Sequence, residues 1–276
     1  MRYPLIDPVM IDIGFISFRW YGFMYLAGFT LVLLLSLYRS RKKSDTWTFE
    51  ELVDVIFYGG LGAVIGGRLG YMLFYNLSTF LENPLSIIQT SDGGMSFHGG
   101  FIGVIFALIY IARKTKRTFI TVTDFLLPTF PLGLGFGRLG NWMNIELPGR
   151  ITNSPLGVHY PCDIVRALNP ECNGAWEELT RHPSPLYQAF TEGLLLFIIV
   201  WWYSSKPRQA GQVSAIFLIG YGLARSFTEL FRAPDAHIGF VLFDCITMGQ
   251  LLTLPMILAG IGMLRYISQK SQVETG

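Results

Sequence analysis

The chain has 276 residues, of which 51% are hydrophobic and only 14% are charged. A soluble domain carries about 25% charged residues, so the composition excludes an ordinary soluble enzyme and favours a membrane protein. The net charge of +2 gives no reason to expect a nucleic-acid partner.

Seven apolar stretches follow one another along the chain. About 20 apolar residues cross a hydrocarbon core roughly 30 Å thick, and each stretch approaches or exceeds that length. The stretches are residues 18–38, 52–75, 95–112, 120–141, 185–203, 213–232 and 241–264. The sequence therefore predicts an all-α polytopic membrane protein, a single membrane-embedded domain over residues 1–276 with about seven transmembrane helices.

Basic residues mark one side of the membrane. Those that follow the first, third, fifth and seventh stretches are Arg39, Arg41, Lys42, Lys43, Arg113, Lys114, Lys116, Arg117, Lys206, Arg208, Arg265 and Lys270. The loop 76–94 has no Lys or Arg. Cytoplasmic loops carry the excess of basic residues, so we expect the N-terminus outside and the C-terminus in the cytoplasm.

The longest outer loop, residues 142–184, is rich in Pro, Gly and Asn and is expected to form an irregular periplasmic cap. Cys162 and Cys172 both lie in it, where oxidising conditions permit a disulfide, although the sequence does not decide the pairing. No neighbouring His and Cys complete a zinc pattern, so no metal site is expected. Cys245, in the seventh stretch, is interpreted as a packing residue.

Glycines recur at every fourth position of the second stretch, at Gly62, Gly66 and Gly70. This spacing puts small residues on one side of a helix and favours close helix packing over a direct role in function.

Polar residues inside the apolar stretches gather near one membrane face, because successive stretches run in opposite directions. They are Arg19, Tyr21, Arg68, His98, Arg138, Asn141, Gln188, Glu192, Arg225 and Glu229. A charge at the centre of a spanning helix costs about 3 kcal/mol on insertion scales and usually faces a bundle interior or a polar cavity. The pattern predicts a polar site in the outer half of the bilayer.

Arg138 lies in the run Gly-Phe-Gly-Arg-Leu-Gly (135–140), which ends an apolar helix and so lacks the strand that a dinucleotide site requires. Asn141 shares its helical face, and Asn144 and Glu146 follow. A guanidinium matches the geometry of phosphate or carboxylate. The alternative is a structural ion pair.

A second polar stripe, Tyr221, Arg225, Glu229 and Arg232, lies on the sixth stretch. Two arginines on separate helices fit an anion clamp for a phospholipid headgroup, whereas Arg225 with Glu229 also fits a purely structural pair. Arg68 is either a third cation of this clamp or an interfacial residue.

His98 has glycines on both sides, which permit the close approach of a ligand. It is either a hydrogen-bonded structural residue or a substrate-contacting proton acceptor near neutral pH.

Six motifs resemble those of the bacterial phosphatidylglycerol–prolipoprotein diacylglyceryl transferase family, in order along essentially the whole chain. They are Arg-Trp-Tyr-Gly (19–22), Gly-Arg-Leu-Gly-Tyr (67–71), Gly-Gly-Met-Ser-Phe-His-Gly-Gly (93–100), Gly-Arg-Leu-Gly-Asn (137–141) with Asn144 and Glu146, His-Pro-Ser (182–184) with Leu186 and Tyr187, and Glu-Leu-Phe-Arg-Ala-Pro-Asp (229–235). The chain departs from the family at Ile145, where Gly is usual, and at residues 185–188, where Gln-Leu-Tyr-Glu is usual.

The resemblance implies a seven-span enzyme of the bacterial inner membrane with its active site toward the periplasm. Such enzymes move the diacylglyceryl group of phosphatidylglycerol onto the lipobox cysteine thiol of a preprolipoprotein, releasing glycerol 1-phosphate, without metal or cofactor. By the same match, the positions expected to matter are Tyr21, His98, Arg138, Asn141, Glu146, Gly149, Tyr221, Arg225 and Glu229.

Each of the reactive residues has a hypothetical role in this chemistry. Arg138 holds the phosphodiester, Arg225 stabilises the leaving charge, and His98 takes the thiol proton. Arg225 rather than His98 is the alternative candidate for activating the thiol.

Three other functions compete with a transferase. A transporter or channel with an anion path requires polar residues through the full membrane depth, whereas the inner halves are overwhelmingly apolar. A serine protease requires Ser96 or Ser184 within hydrogen-bonding reach of a His. A lipoprotein-binding scaffold without chemistry is excluded only by an activity assay.

Overall fold

The computed structural model describes residues 1–14, 17–42, 47–88, 94–234, 241 and 246–275. Helices account for most of this part of the chain, which confirms the all-α class. Lys43 and Cys245, two residues with expected roles, lie outside the described residues. The chain divides into two compact units, residues 33–126 and residues 1–32 with 127–276, which we treat in turn.

Among the described residues, two short strands precede a series of helical elements. They are β1 (Val9–Asp12), β2 (Ser17–Arg19), α1 (Trp20–Lys42), α2 (Phe49–Tyr75), α3 (Leu77–Glu82), a 3₁₀ turn (Pro84–Ile88), α4 (Phe97–Lys114), α5 (Phe119–Leu126), α6 (Phe130–Met143), α7 (Cys162–Val165), α8 (Ser184–Gln188), a π-helical segment (Ala189–Leu195), α9 (Leu196–Ser204), α10 (Gln212–Thr228) and α11 (Met248–Thr275).

Four helical segments among the described residues are long and apolar enough to cross a bilayer, namely Trp20–Lys42, Phe49–Phe74, Ser184–Ser204 and Met248–Lys270. Helices α5 and α6 would add a fifth if they form one broken span. The two other predicted spans coincide with α4 and α10, of 18 and 17 residues. The total of seven therefore stays a prediction.

The predicted fourth span, 120–141, is interrupted between α5 and α6. Pro128 lies in the break and Pro131 in the first turn of α6, where a missing N–H costs nothing. A proline also disfavours helical geometry in the residue before it. These two prolines explain why one continuous helix does not form.

Within residues 33–126, α2 and α4 pack through their glycines. A Cβ added at Gly66 would lie 2.3 Å from the carbonyl oxygen of Gly99, and one at Gly62 would lie 2.5 Å from that of Gly103. No side chain fits at such separations, so the backbones are in direct contact. The packing interpretation of the glycine spacing is confirmed.

The cap, residues 142–184, belongs to the other unit and is well folded. Cys162 and Cys172 form a disulfide in it. Tyr3 joins the buried cluster of the cap, and its hydroxyl donates to the carbonyl oxygen of Trp142 at 2.6 Å. Burial raises the pKa of Tyr3 to about 12, so this hydroxyl stays a neutral donor. The N-terminal segment therefore helps to fix the cap.

An ion pair supports the cap from within. Arg181 donates from Nε and Nη2 to the two carboxylate oxygens of Glu177, both at 2.7 Å, and both side chains are buried. A two-bond pair of this kind fixes the orientation of both side chains.

One element was not expected from the sequence. Strands β1 and β2 pair antiparallel just before α1, with Asp12 opposite Ser17. The Asp12 carboxylate accepts from the N–H of Gly14, which has a φ of +86°. This bond stabilises the backbone at the end of β1, and β2 leads directly into α1.

Candidate active site

Arg138 and Arg225 converge on one carboxylate. Arg138, near the end of α6, contacts Oε2 of Glu192 from Nη2 at 3.2 Å, and Arg225, near the end of α10, contacts Oε1 from Nη1 at 3.4 Å. Thr228 donates its hydroxyl to the same Oε1 at 3.0 Å. The Glu192 side chain has no exposure to solvent, so these donors stabilise its negative charge in place of water.

The network continues along α10 to its end. Arg225 forms an ion pair with Glu229 through Nη2, and Arg232 contacts the same carboxylate oxygen at 3.3 Å. The second oxygen of Glu229 accepts from the hydroxyl of Thr247 at 2.8 Å. Arg138, Glu192, Arg225, Glu229 and Arg232 thus alternate in sign along one chain of ion pairs.

This chain has a cationic excess. Its three guanidinium groups and two carboxylates leave one net positive charge. Arg138 is the most accessible member, with 19% of its side chain exposed, compared with 10% for Arg225. An anion that approaches the network would therefore meet Arg138 first.

A π-helical segment brings Glu192 to this position. Residues 189–195 interrupt an otherwise α-helical stretch between α8 and α9. Gly193, next to Glu192, lies against Gly135 of α6, where an added Cβ would be 2.7 Å from the Cα of Gly135. The close approach of the two backbones lets the short Glu192 side chain reach Arg138. Segments of π-helix are frequent at functional sites.

Aromatic hydroxyls surround Arg138. Tyr221 of α10 interacts with its guanidinium. Tyr21 of α1 lies within electrostatic range of Arg138 and shares a hydrogen bond with Tyr25 at 3.1 Å. The ring of Tyr21 also packs on Gly140, where an added Cβ would be 2.9 Å from Cδ2. The structure therefore brings Tyr21, Arg138 and Tyr221 together.

Asn141 and Glu146 form a second polar group beside Arg138. The amide of Asn141 donates to Oε2 of Glu146 at 2.7 Å, and Asn144 donates to Oε1 at 3.2 Å. Glu146 also lies within electrostatic range of Tyr21. The two amides hold an exposed carboxylate near Tyr21.

Gly149 lies tightly between backbone segments, and Arg181 donates from Nη1 to its carbonyl oxygen at 3.3 Å. Its N–H donates to the carbonyl oxygen of His182 at 2.9 Å, and an added Cβ would lie 2.6 Å from the carbonyl oxygen of Phe231. Arg150 next to it donates to the carbonyl oxygens of Arg232 and Glu229. These contacts join the cap to the end of α10, just beyond Arg225.

His98 and Arg68 belong to the other unit, residues 33–126. His98 is exposed at the start of α4, where Ser96 caps the helix by accepting from the N–H of Gly99 at 3.3 Å. Arg68 is buried and donates to the carbonyl oxygens of Ser86, Ile87 and Gly94. These bonds give Arg68 a structural function, because they tie α2 to the 3₁₀ turn and to Gly94.

Both serines that a serine protease would use have structural roles. Ser184 is fully buried and donates to the carbonyl oxygen of Leu147 at 2.7 Å. Ser96 is the helix cap just described. Within the part of the chain that the structure describes, no three His, Cys, Asp or Glu residues are grouped to hold a metal ion.

Comparison with known proteins gives a consistent result. The sequence model of the prolipoprotein diacylglyceryl transferase family matches residues 8–266. The chain belongs to this family. It is 48% identical over 276 residues to the phosphatidylglycerol–prolipoprotein diacylglyceryl transferase of Acinetobacter baumannii (strain ACICU), covering 100% of this chain and 98% of that protein.

Two further transferases of that name are similar over their full length. The Acinetobacter baylyi protein is 48% identical, covering 100% of this chain and 97% of its own length. The Psychrobacter arcticus protein is 45% identical over 291 residues, covering 100% of this chain and 98% of its own length.

The structure shows the conformation or the burial of residues at both positions where the chain departs from the family motifs. Ile145 has a φ of +56°, in the left-handed region that favours glycine. Gln188 is fully buried one turn before Glu192.

Glu192 has a central position in this network, although the sequence predicts only its depth and no role for it. It could have been singled out, because a carboxylate inside an apolar helical segment needs a cationic partner at the same depth. Arg138 and Arg225 are the cations at that depth.

Proposed function

We propose that the protein transfers the diacylglyceryl group of phosphatidylglycerol to the lipobox cysteine thiol of a preprolipoprotein signal peptide, the first step of bacterial lipoprotein maturation. The family match and the names of the relatives support this activity. The single observation that carries it is the convergence of Arg138 and Arg225 on Glu192, which builds a cationic site from three helices.

The reaction requires one bond to form and one to break. The thiolate sulfur attacks the glyceryl carbon that bears the phosphate, forming a thioether. The bond between that carbon and the phosphate oxygen breaks, and glycerol 1-phosphate leaves with the electron pair. The thiol proton passes to a base, because a free thiol with a pKa of about 8.5 is only slightly ionised at neutral pH.

Arg138, as the most exposed cation of the network, holds the phosphodiester. Arg225 stabilises the charge that develops on the departing phosphate. Their ion pairs with Glu192 fix both guanidinium groups before the substrate arrives, so less reorganisation is needed in the reaction.

Tyr21, Asn141, Glu146 and Tyr221 orient the headgroup around Arg138, Gly149 shapes the entry from the cap, and Glu229 positions Arg225. His98 accepts the thiol proton. The alternative is that Arg225 activates the thiol by stabilising the thiolate. No cofactor is proposed.

The enzyme is proposed to reside in the bacterial inner membrane with seven spans, its N-terminus and active site toward the periplasm. The basic residues that follow alternate spans support this orientation. The cap and its disulfide then lie in the oxidising compartment, where disulfides persist.

Product analysis tests the proposal. Purified protein in detergent is given phosphatidylglycerol and a lipobox peptide, and peptide mass and free glycerol 1-phosphate are measured together. We expect one glycerol 1-phosphate for each peptide that gains a diacylglyceryl group, and no reaction of a peptide with Ser in place of Cys. Cleavage of the peptide, or its recovery unmodified, would overturn the proposal.

A further inference from the structure

The side chain of Gln188 is buried without a hydrogen-bonding partner. It has no exposure, and neither Nε2 nor Oε1 forms a hydrogen bond with any residue that the structure describes. A buried amide gives up its bonds to water, so leaving both ends unpaired is unfavourable. Native proteins keep few such groups, and those that persist need an explanation.

Gln188 lies at the end of α8, directly before the π-helical segment. Ser184 lies four residues before it and Glu192 four residues after it, and all three side chains are fully buried. Helix α8 packs against both α6 and α10. The unpaired amide is therefore part of the same helix interface that holds Arg138 and Arg225.

We propose that Gln188 binds a hydroxyl of the headgroup glycerol of phosphatidylglycerol and thereby selects this lipid. The proposal rests on the function proposed above. A side-chain amide offers a donor and an acceptor together, which matches a hydroxyl, whereas the phosphodiester oxygens only accept. With the phosphate at Arg138, the headgroup glycerol is the neighbouring substrate group that carries free hydroxyls, and Gln188 lies only four residues before Glu192, which contacts Arg138.

Substrate must open this face of the helix to reach the amide, because both atoms are closed to solvent. The adjoining π-helical segment is the natural place for that adjustment, since such segments interrupt the regular α-helical hydrogen bonding. Gln188 acts on the non-reacting end of the lipid, so it is a specificity-determining residue and not a catalytic one.

The test compares two lipids that share the phosphodiester. Phosphatidylpropanol lacks the headgroup hydroxyls of phosphatidylglycerol, and kcat/KM is measured for each lipid with the full-length protein. We expect the wild-type protein to prefer phosphatidylglycerol roughly tenfold or more, since a site built to bond a hydroxyl rejects an analogue without it. Gln188→Leu should lower this ratio to about one, because transfer from phosphatidylglycerol loses the bond to the headgroup hydroxyl.

Three further variants sharpen the comparison. Gln188→Met matches the original volume and should lose the preference in the same way, which covers the case that Gln188→Leu does not fold. Gln188→Glu keeps acceptors for a hydroxyl and should retain part of the preference. Gln209→Leu, at an exposed position, should behave as the wild-type protein does.

The outcomes are distinguishable. A wild-type preference that survives unchanged in folded Gln188→Leu or Gln188→Met would overturn this inference alone. A raised KM for the peptide with an unchanged lipid ratio would also overturn it, because Gln188 would then contact the peptide. A wild-type protein that transfers from neither lipid would overturn the proposed function and this inference with it.

Discussion

Arg138 Nη2 and Glu192 Oε2 lie 3.2 Å apart although 54 positions separate the two residues in sequence. The carboxylate has no exposure and contacts Arg225 through its other oxygen at 3.4 Å. Glu192 therefore sets the spacing of the two arginines, and the geometry of the cationic site depends on a residue that need not touch substrate.

Replacement of Glu192 by Leu is expected to destabilise the protein and abolish transfer. Removing one partner of a buried ion pair leaves its cations uncompensated and costs about 3–5 kcal/mol of unfolding free energy. Glu192→Asp, which keeps the charge on a shorter side chain, should recover part of the stability and activity. Thermal unfolding in detergent and the lipidation rate measure the two effects.

Glu178→Gln is the matched control, because Glu178 is exposed in the cap. It should leave both measurements at the wild-type value. Wild-type unfolding and activity in Glu192→Leu would show that the carboxylate does not hold the arginines in place.

Two glycines of α2 should respond oppositely to alanine. A Cβ at Gly66 would meet the carbonyl oxygen of Gly99 at 2.3 Å, so Gly66→Ala forces α2 and α4 apart and costs about 1–3 kcal/mol. A Cβ at Gly59 meets nothing within 4 Å, and Gly59→Ala should stabilise the helix by about 0.5–1 kcal/mol. Equal unfolding temperatures for the two variants would contradict direct backbone contact.

At Ile145 we expect the glycine variant to be more stable than the alanine variant, which reverses the usual order. Ile145 has a φ of +56°, and a residue with a Cβ pays about 1–2 kcal/mol there. Ile145→Gly should therefore be more stable than Ile145→Ala by about 1 kcal/mol, although both lose the same packing against the cap. At Ile151, which has no positive φ, alanine should be the more stable variant, as is ordinary.

Acid should weaken the contact of the cap with α10 through His182. Burial lowers the pKa of His182 below its usual 6.5. The unfolded chain then binds the proton more readily than the folded one, so stability is constant above about pH 6.5 and falls as the pH drops through the lower folded-state pKa.

In the wild-type protein the Tyr187 hydroxyl lies 3.2 Å from Nδ1 of His182. His182→Gln removes the titration, and the new amide can still form a hydrogen bond with that hydroxyl. Thermal midpoints of the wild-type protein and the variant between pH 7.5 and 5 should diverge on the acid side, with the variant the less sensitive. Parallel curves would contradict the assignment.

Much of this site follows from depth alone. Arg138 and Arg225 lie near the ends of the fourth and sixth predicted spans, and Glu192 lies near the start of the fifth, so alternating spans would place all three at one depth. The cost of buried charge then favours the ion pairs that the structure contains. The glycine spacing of α2 likewise predicted its close contact with α4. Both arguments use one-dimensional periodicity, which a sequence displays directly.

The remaining features depend on tertiary geometry. A π-helical segment has no characteristic composition, so the local geometry that lets Glu192 reach Arg138 was not predictable from residues 189–195, although their common depth was. From the sequence, Arg68 is a cation near a predicted membrane face. In the folded chain its hydrogen bonds are accepted by backbone carbonyls, which become its neighbours only on folding. The break before α6 is an exception, because Pro128 and Pro131 lie inside the predicted span and could have indicated it.

The most direct test of the account is the kcat/KM for lipidation of a lipobox peptide by Arg138→Ala. We expect a loss of about a hundredfold or more, since one donor to developing charge contributes 10²–10³ in comparable sites, while Arg138→Lys retains part of the rate. Arg113→Ala, at an exposed position in α4, should match the wild-type protein. A folded Arg138→Ala enzyme with wild-type kcat/KM would contradict the claim that this guanidinium holds the phosphate.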